Sequence, residues 1–442
     1  MPLATLSRSS VFSARRTAAV LTLGLAFLVV FPSSTVPAEA EKSSPSAPPP
    51  IAPARVKHLA SLGADRWQAD GVTGKGVKIA ILDTGFRGYH DHLGKALPAH
   101  VMARSFRRDG NMEARDSQHG ILCAEVIHAI APDAELLLAD WDVDSPDEFL
   151  AAVHWARDQG AKIISCSVVM PSCSDGEGGG TVHRQLDILL GSGAGSHDLL
   201  CFASAGNTID RHWGGLFHDG GDGFHEWEAG KRDNPLSPWS SEQVAVHLYS
   251  RPGAGYELSI FDAGNGREIG KARTDDHQTD RVSTVVRFDP ELGHTYRVRV
   301  RLTHGPAGTF HLTSMFASVQ YRSASASVCF PADGAHVVAM GAVDVDGRRQ
   351  WYSACGPNSQ RPKPDLVATV PFASSWRERP FGGTSAAAPQ GAALAALWYA
   401  RHPNWTPDQI RNAMRSAARD LAAPGHDWET GYGLIQLPKS GF

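Results

Sequence analysis

The chain has 442 residues, 42% of them hydrophobic and 20% charged, with a formal net charge of −4. That is the composition of a soluble globular protein with room for two domains, and the near-balanced charge argues against nucleic-acid binding, which calls for a basic surface. Six cysteines occur without any C-x-x-C spacing, so no metal-ligand framework is legible.

Residues 1–40 read as a secretory signal. Arg8, Arg15 and Arg16 make a basic start, Ala18–Phe31 an apolar stretch, and Ala38-Glu39-Ala40 a small-x-small cleavage site. The apolar run is short for a bilayer. The expectation is therefore a secreted protein, extracellular or periplasmic, with no membrane attachment after cleavage. Residues 41–54 form a Pro/Ser-rich tether. Export permits disulfides, and Cys166/Cys173 and Cys329/Cys355 are plausible pairs, whereas Cys123 and Cys201 lie in apolar runs as buried thiols.

Strands and helices then alternate over 55–211. Val77–Leu82 is a buried strand ending in Asp83-Thr84-Gly85. Asp116-Ser117-Gln118-His119-Gly120 leads into an apolar helix, Ile121–Ile130. Glu135–Ala139 is a strand, Pro146–Gln159 an amphipathic helix, Lys162–Ser167 a strand and Val182–Leu190 a helix. Leu199–Ser204 is a strand that runs into Ala205-Gly206-Asn207-Thr208. This rhythm predicts an α/β fold, a mostly parallel sheet with helices on both faces. Such sheets place their sites beyond the carboxyl ends of the strands, where Asp83 and Asn207 fall. Each alone has a plain structural reading: a turn Asp, a surface or core His119, a turn Asn.

Over 212–327 the period changes to two. Val244, Val246 and Leu248; Tyr256, Leu258 and Ile260; Val282–Phe288; Tyr296–Leu302; and Phe310, Leu312 and Ser314 mark short strands between Gly/Pro/Asp turns. They predict a small antiparallel β-sandwich inserted into the α/β fold. Arg297, Arg299 and Arg301 read as its solvated face. Asp219-Gly220-Gly221-Asp222-Gly223 reads as a loop; a calcium site there lacks a complete ligand pattern.

The α/β pattern resumes over 328–442. Val337–Gly341 is a strand. Phe381-Gly382-Gly383-Thr384-Ser385 then turns into a helix, Ser385–His402, built of small residues. A serine in the first turn of such a helix can attack a carbonyl while free backbone N–H groups receive the oxyanion, although a lone Ser there is more often an N-cap. Thr406 caps a last helix that has Pro407 at its first position.

In chain order the chemistry-bearing residues are Asp83, His119, Asn207 and Ser385. With Asp83-Thr84-Gly85, His119-Gly120, Ser204-Ala205-Gly206-Asn207 and Gly383-Thr384-Ser385-Ala386-Ala387-Ala388-Pro389, the sequence resembles the subtilisin-like serine peptidases, the subtilases. The resemblance implies a secreted serine endopeptidase in which Ser385 is nucleophile, His119 base and acid, Asp83 the orienting carboxylate and Asn207 the oxyanion donor. It implies protein or peptide substrates, no required cofactor and no catalytic metal, with a monomer expected. Ser167, Val168, Val169 and Gly206 would line the substrate.

Two departures stand out. Ile121-Leu122 follow His119-Gly120 where the family has Thr-His, and Ser167-Val168-Val169 replace Ser-Leu-Gly. Val169 in place of glycine implies a narrowed outer pocket. The stretch Glu41–Ala64 is too short for the folded propeptide of many subtilases, so the chain is expected to fold without one. A peptide ligase or cyclase using the same acyl-enzyme, an adhesin working through the insert, and a silent scaffold remain open. Retention of all four positions argues against the last.

Overall fold

The computed structural model describes residues 53–115, 117–274, 283–358 and 362–439. The stretch read as a signal and most of the expected tether lie outside the described residues, as do Asp116 and Val282. In chain order the elements are α1 (Pro53–Leu62), α2 (Ala64–Ala69), β1 (Lys78–Leu82), β2 (Met102–Ser105), α3 (His119–Ile130), β3 (Glu135–Asp140), α4 (Pro146–Asp158), β4 (Ile163–Cys166), α5 (Thr181–Leu190) and β5 (Leu200–Ser204). Next come β6 (His212–Leu216), β7 (Asn234–Pro238), β8 (Val244–Ser250), β9 (Gly255–Asp262), β10 (Glu268–Arg273), β11 (Ser283–Phe288), β12 (Tyr296–His304), β13 (Thr309–Met315) and β14 (Ala317–Val319). The chain closes with β15 (Val337–Val343), β16 (Leu366–Thr369), α6 (Thr384–Arg401) and α7 (Pro407–Ala417).

Seven strands form one sheet in the order β16-β15-β5-β4-β1-β3-β2, and its neighbours pair in parallel. Apart from the edge strand β2, the strands are largely apolar on both sides because helices cover both faces. Ile79, Ile81, Leu136 and Leu138 point to the face packed by α3 and α6. Ala80, Leu82, Leu137 and Ala139 point to the opposite face, packed by α4 and α5. The Thr406 side chain accepts from the Gln409 N–H in a full capping box, with Pro407 at the first helical position, as the sequence predicts.

Residues 53 and 54 are the first turn of a helix and not tether. What holds α1 is a buried ion pair between Arg55 and Glu125. The guanidinium also donates to the Ala373 carbonyl through Nε at 3.0 Å and Nη2 at 2.7 Å, and Glu125 accepts from Ser374 Oγ at 2.8 Å and Ser375 N–H at 2.6 Å. A buried carboxylate is tolerable only with such a full set of partners. Neither residue carried a signal in the sequence.

The period-two region forms a five-stranded sheet, β10-β9-β12-β7-β14, and a four-stranded sheet, β11-β8-β13-β6, with antiparallel pairing. Val244, Val246, Leu248, Leu258, Ile260, Val298, Val300 and Leu312 fill a core of their own between them. The alternate residues of β8, Ala245, His247 and Tyr249, are buried as well, because that face docks on the α/β body. There His247 meets Ser172 Oγ, Ser283 Oγ donates to the Ser172 carbonyl at 2.8 Å and His311 Nε2 meets Glu177 Oε1 at 3.2 Å.

Two expectations need correction. The Arg row of β12 is more than a solvated face. Arg297 and Arg299 reach Asp233 at 3.4 and 3.3 Å, and Arg301 lies over the Phe224 ring. None of the six cysteines forms a disulfide among the described residues. Cys166 is locked in the core at the end of β4, and Cys329 and Cys355 turn their thiols to the Ser327 and Ala324 carbonyls. Neither plausible pair forms, and for Cys166 and Cys173 closeness in sequence was not enough.

Candidate active site

Asp83 follows β1 directly and has no exposed surface. Its Oδ1 accepts from the Thr84 N–H at 2.8 Å and its Oδ2 faces His119 Nδ1 at 2.8 Å. Beside a carboxylate, Nδ1 carries the proton, which leaves Nε2 as the basic nitrogen. The glycines of the two motifs make this meeting possible. Gly120 donates to the Gly85 carbonyl at 2.7 Å, and a Cβ on Gly120 would come within 2.5 Å of Phe86. A Cβ on Gly85 would lie 2.3 Å from Ser117 Oγ. Only bare backbone lets the strand end and the helix start approach so closely.

The His119 side chain is 33% exposed and stands edge-on to Phe381, ring centroids 5.4 Å apart. Burial works to lower its pKa, but the Asp83 charge and hydrogen bond prevail and hold it well above 6.5. Cys123, one helical turn further along α3, packs beneath both groups. Its Sγ lies 3.6 Å from Asp83 Oδ2, 3.9 Å from His119 Nδ1 and 3.8 Å from the Ser385 carbonyl oxygen. His119 and Ser385 therefore flank one thiol. Burial pushes that thiol's pKa up, so it sits there neutral. Ligand atoms of Asp83, His119 and Cys123 all fall within 4.8 Å. The 2.8 Å between Nδ1 and Oδ2 is nevertheless shorter than the roughly 3.3 Å that a tetrahedral ion with bonds of about 2 Å would impose.

Ser385 is the second residue of α6 and half-buried, between buried Thr384 and Ala386. Its first-turn position leaves its N–H without an intrahelical acceptor. Pro389 lies inside the helix, four residues on, and so withholds the N–H that would bond the Ser385 carbonyl. Ser167 Oγ takes over, donating to that carbonyl at 3.0 Å, while Ser385 Oγ donates to the Ser167 carbonyl at 3.4 Å. A reciprocal pair of bonds thus ties the serine to the end of β4.

The Asn207 side chain follows β5. Its Oδ1 accepts from Thr384 N–H and from Thr384 Oγ1, both at 3.0 Å, and Thr384 Oγ1 in turn accepts from the Gly206 N–H at 3.2 Å. With the oxygen so occupied, Nδ2 is free to donate elsewhere. It lies 2.9 Å from where a Cβ on Gly383 would sit, and Gly383 holds φ +80°, a conformation glycine adopts at little cost. The Gly383 N–H donates to Tyr352 Oη at 3.1 Å, which fixes the turn before the helix.

The structure therefore brings Asp83, His119, Asn207, Ser385 and Ser167 to one crevice at the carboxyl ends of the parallel strands. Val168, Val169 and Gly206 lie along the same rim, and Val169 Cγ1 would meet a Cβ on Gly206 at 3.5 Å. Val169 lines a cavity of about 560 Å³ between the α/β body and the sandwich. Three contributors escaped the sequence reading: Cys123, Thr384 and the effect of Pro389. Their signals were available, since Cys123 and Pro389 each stand four residues after a chemistry-bearing residue on the same helix face.

Elsewhere, Asp219 Oδ1 accepts from Gly221 and Gly223 N–H, both at 2.8 Å, and Asp222 pairs with Arg232 at 3.0 Å. No helix among the described residues is long and apolar enough to cross a membrane.

The family model of the subtilases matches residues 74–433. Among curated proteins, the alkaline elastase YaB of Bacillus sp. (strain YaB) is 35% identical over 118 residues, 26% of this chain and 29% of that protein. Subtilisin amylosacchariticus of Bacillus subtilis subsp. amylosacchariticus is 32% identical over 115 residues, with the same two shares. The matches thus span under a third of these relatives' length. Among solved structures, the CspB protease of Clostridium perfringens superposes with a TM-score of 0.60 at 15% identity, covering 87% of this chain and 96% of that one.

Proposed function

The chain belongs to the subtilase family, and we propose that it is an exported serine endopeptidase acting on proteins or peptides. The observation that carries this reading is the 2.8 Å contact of the buried Asp83 carboxylate with His119 Nδ1, beside a serine at the free start of α6. In the proposed reaction Ser385 Oγ swings away from the Ser167 carbonyl and attacks the scissile carbonyl carbon. Its proton passes to His119 Nε2, and Asp83 stabilises the resulting imidazolium. The oxyanion accepts from Asn207 Nδ2 and the Ser385 N–H, both set before substrate arrives. As the C–N bond breaks, His119 returns the proton to the leaving amine. Water then repeats the sequence on the acyl-enzyme. Each step is served by Ser385, His119, Asp83 and Asn207, and the proposed reaction calls for no cofactor.

Export rests on the basic start, apolar stretch and Ala38-Glu39-Ala40 site, and a secreted product with Glu41 at its N-terminus is the expected outcome. The test of the chemistry is casein cleavage by the chain beginning at Glu41, beside its Ser385→Ala variant, with fold checked by circular dichroism. Cleavage by the first alone supports the peptidase and a dispensable prodomain. Cleavage by both, or by neither when folded, would overturn the reading.

A further inference from the structure

The chain leaves the crevice for the sandwich soon after Asn207. Arg211 stands four residues on, immediately before β6, and its guanidinium turns back toward the crevice. We propose that Arg211 is a positioning residue for the oxyanion site: it clamps the main chain of Asn207, and Trp239 of the sandwich holds it in place. This rests on the peptidase reading, and it gives the insert a part in the chemistry.

The clamp is bidentate. Arg211 Nε donates to the Asn207 carbonyl at 2.6 Å, and Nη2 donates to the same oxygen. Charge-assisted bonds of this kind are stronger than bonds between neutral groups. What precedes Asn207 shows why a clamp is needed. Gly206 holds φ +110°, and glycine has more conformational freedom there than any other residue. On the other side Thr208 is fully buried, and its Oγ1 donates to the Ser327 carbonyl at 2.7 Å. Asn207 lies between that soft joint and this fixed point. Thr384 ties its side chain at Oδ1, and Arg211 ties its carbonyl. The direction of Nδ2 depends on both ties. An oxyanion donor acts through a set geometry, and a small displacement forfeits much of its effect.

Arg211 itself has to be held. Its side chain is 13% exposed, and the Asp210 carboxylate approaches Nε only to 4.0 Å. A guanidinium so far withdrawn from water needs further partners. Trp239 supplies one: its ring centroid lies 5.4 Å from the guanidinium carbon, within range of a cation–π attraction. Trp239 belongs to the segment between β7 and β8, and its N–H donates to the Phe316 carbonyl at 3.3 Å, so the ring is carried by the sandwich. It is 51% exposed, which makes it a poor contributor to the sandwich core. Contacts therefore run from Trp239 through Arg211 to the Asn207 main chain.

The test is steady-state cleavage of one peptide by the full chain and by Arg211→Ala, Arg211→Lys, Trp239→Ala and Trp239→Phe, each fold being checked by circular dichroism. Arg211→Ala should lower kcat by about ten- to a hundredfold with KM within about threefold. Arg211→Lys keeps the charge but loses the fork, and should fall between. Trp239→Ala should lower kcat by roughly two- to fivefold, and Trp239→Phe should recover most of it. The deciding comparison is with the Asn207→Ala background. There the donor is already gone, so Arg211→Ala should change kcat by less than about threefold, whereas a merely structural loss would reduce both backgrounds alike. Should Arg211→Ala fail to fold, Arg211→Lys and Trp239→Ala carry the same comparison. Folded variants with kcat within about twofold of the parent, or with equal losses in both backgrounds, would overturn the clamp and leave the peptidase standing. A parent chain that cleaves no peptide would overturn the peptidase reading and the clamp with it.

Discussion

Histidine meets opposite fates in the crevice and at the joint where the sandwich docks. In the crevice, His119 faces the Asp83 carboxylate, and its pKa stays well above 6.5 although burial works against it. At the joint, His212 Nε2 faces His311 Nδ1 at 3.2 Å and its Nδ1 faces the Ser323 carbonyl at 3.0 Å, while His247 meets the Ser172 hydroxyl near Arg287. Burial wins there, the His311 ring beside His212 and the Arg287 guanidinium near His247 add to it, and both values fall to about 3. The partner decides the direction. A carboxylate raises the value at His119, whereas His212 and His247, with no carboxylate among the causes of their shifts, are held uncharged by burial.

The sharpest break of this contrast is Asp83→Asn. It should lower kcat by about 10⁴-fold, a magnitude taken from the same triad on another fold, and should shift the acidic limb of the rate profile. Casein turnover against pH, with the fold checked, measures both. A rate near that of the unaltered chain would mean Asp83 does not set the state of His119.

The second effect concerns stability. His212 and His247 have folded pKa values below the unfolded value near 6.5, so the unfolded chain binds more protons between those limits. Their contribution is complete above pH 6.5 and is lost as pH falls toward 3, by a few kcal/mol. His119 runs the other way: its raised pKa stabilises the fold below 6.5, and that gain is lost as pH rises through its folded value. Urea midpoints should therefore drop on acidification, and the double variant His212→Gln, His247→Gln should flatten the slope without moving the rate profile.

Smaller again is the rate profile of the unaltered chain. Because His119 must be neutral to accept a proton, kcat/KM should fall about tenfold per pH unit below its pKa, with the limb placed above pH 6.5. A limb well below 6.5 would contradict the influence of Asp83. The least effect is expected for Ser167→Ala. Loss of its 3.0 Å bond to the Ser385 carbonyl should cost roughly 1 kcal/mol, a severalfold drop in kcat, read by steady-state kinetics on one peptide.

Short motifs and strand rhythm carried most of the fold and site. Asp83, His119, Asn207 and Ser385 were legible because each stands beside glycine or at an element's edge, where few residue types can serve. The sandwich strands were legible because one face must alternate. The rest depends on tertiary meetings that no local pattern records. Arg55 looks like any basic residue until Glu125, seventy positions away, turns out to be its partner. The docked face of β8 reads as an ordinary outer face, since Ala245, His247 and Tyr249 fit either water or a neighbour. Cys329 and Cys355 looked able to pair, but the backbone offered each thiol a carbonyl instead.

That Arg55–Glu125 pair also sets a limit on how the chain can be trimmed. The guanidinium grips Ala373 as well as Glu125, and the backbones of Phe372 and Phe381 bond each other in both directions, so α1 clasps the hairpin whose Phe381 ring stands against His119. A protease nick or a shortened clone that removes Arg55 would strand a carboxylate inside the protein, at a cost of about 3–5 kcal/mol. The damage would surface some distance from the cut, as a loosened histidine. Cargo joined upstream of Pro53 leaves the clasp closed, which makes that end the natural one for a tag or a tether to a surface.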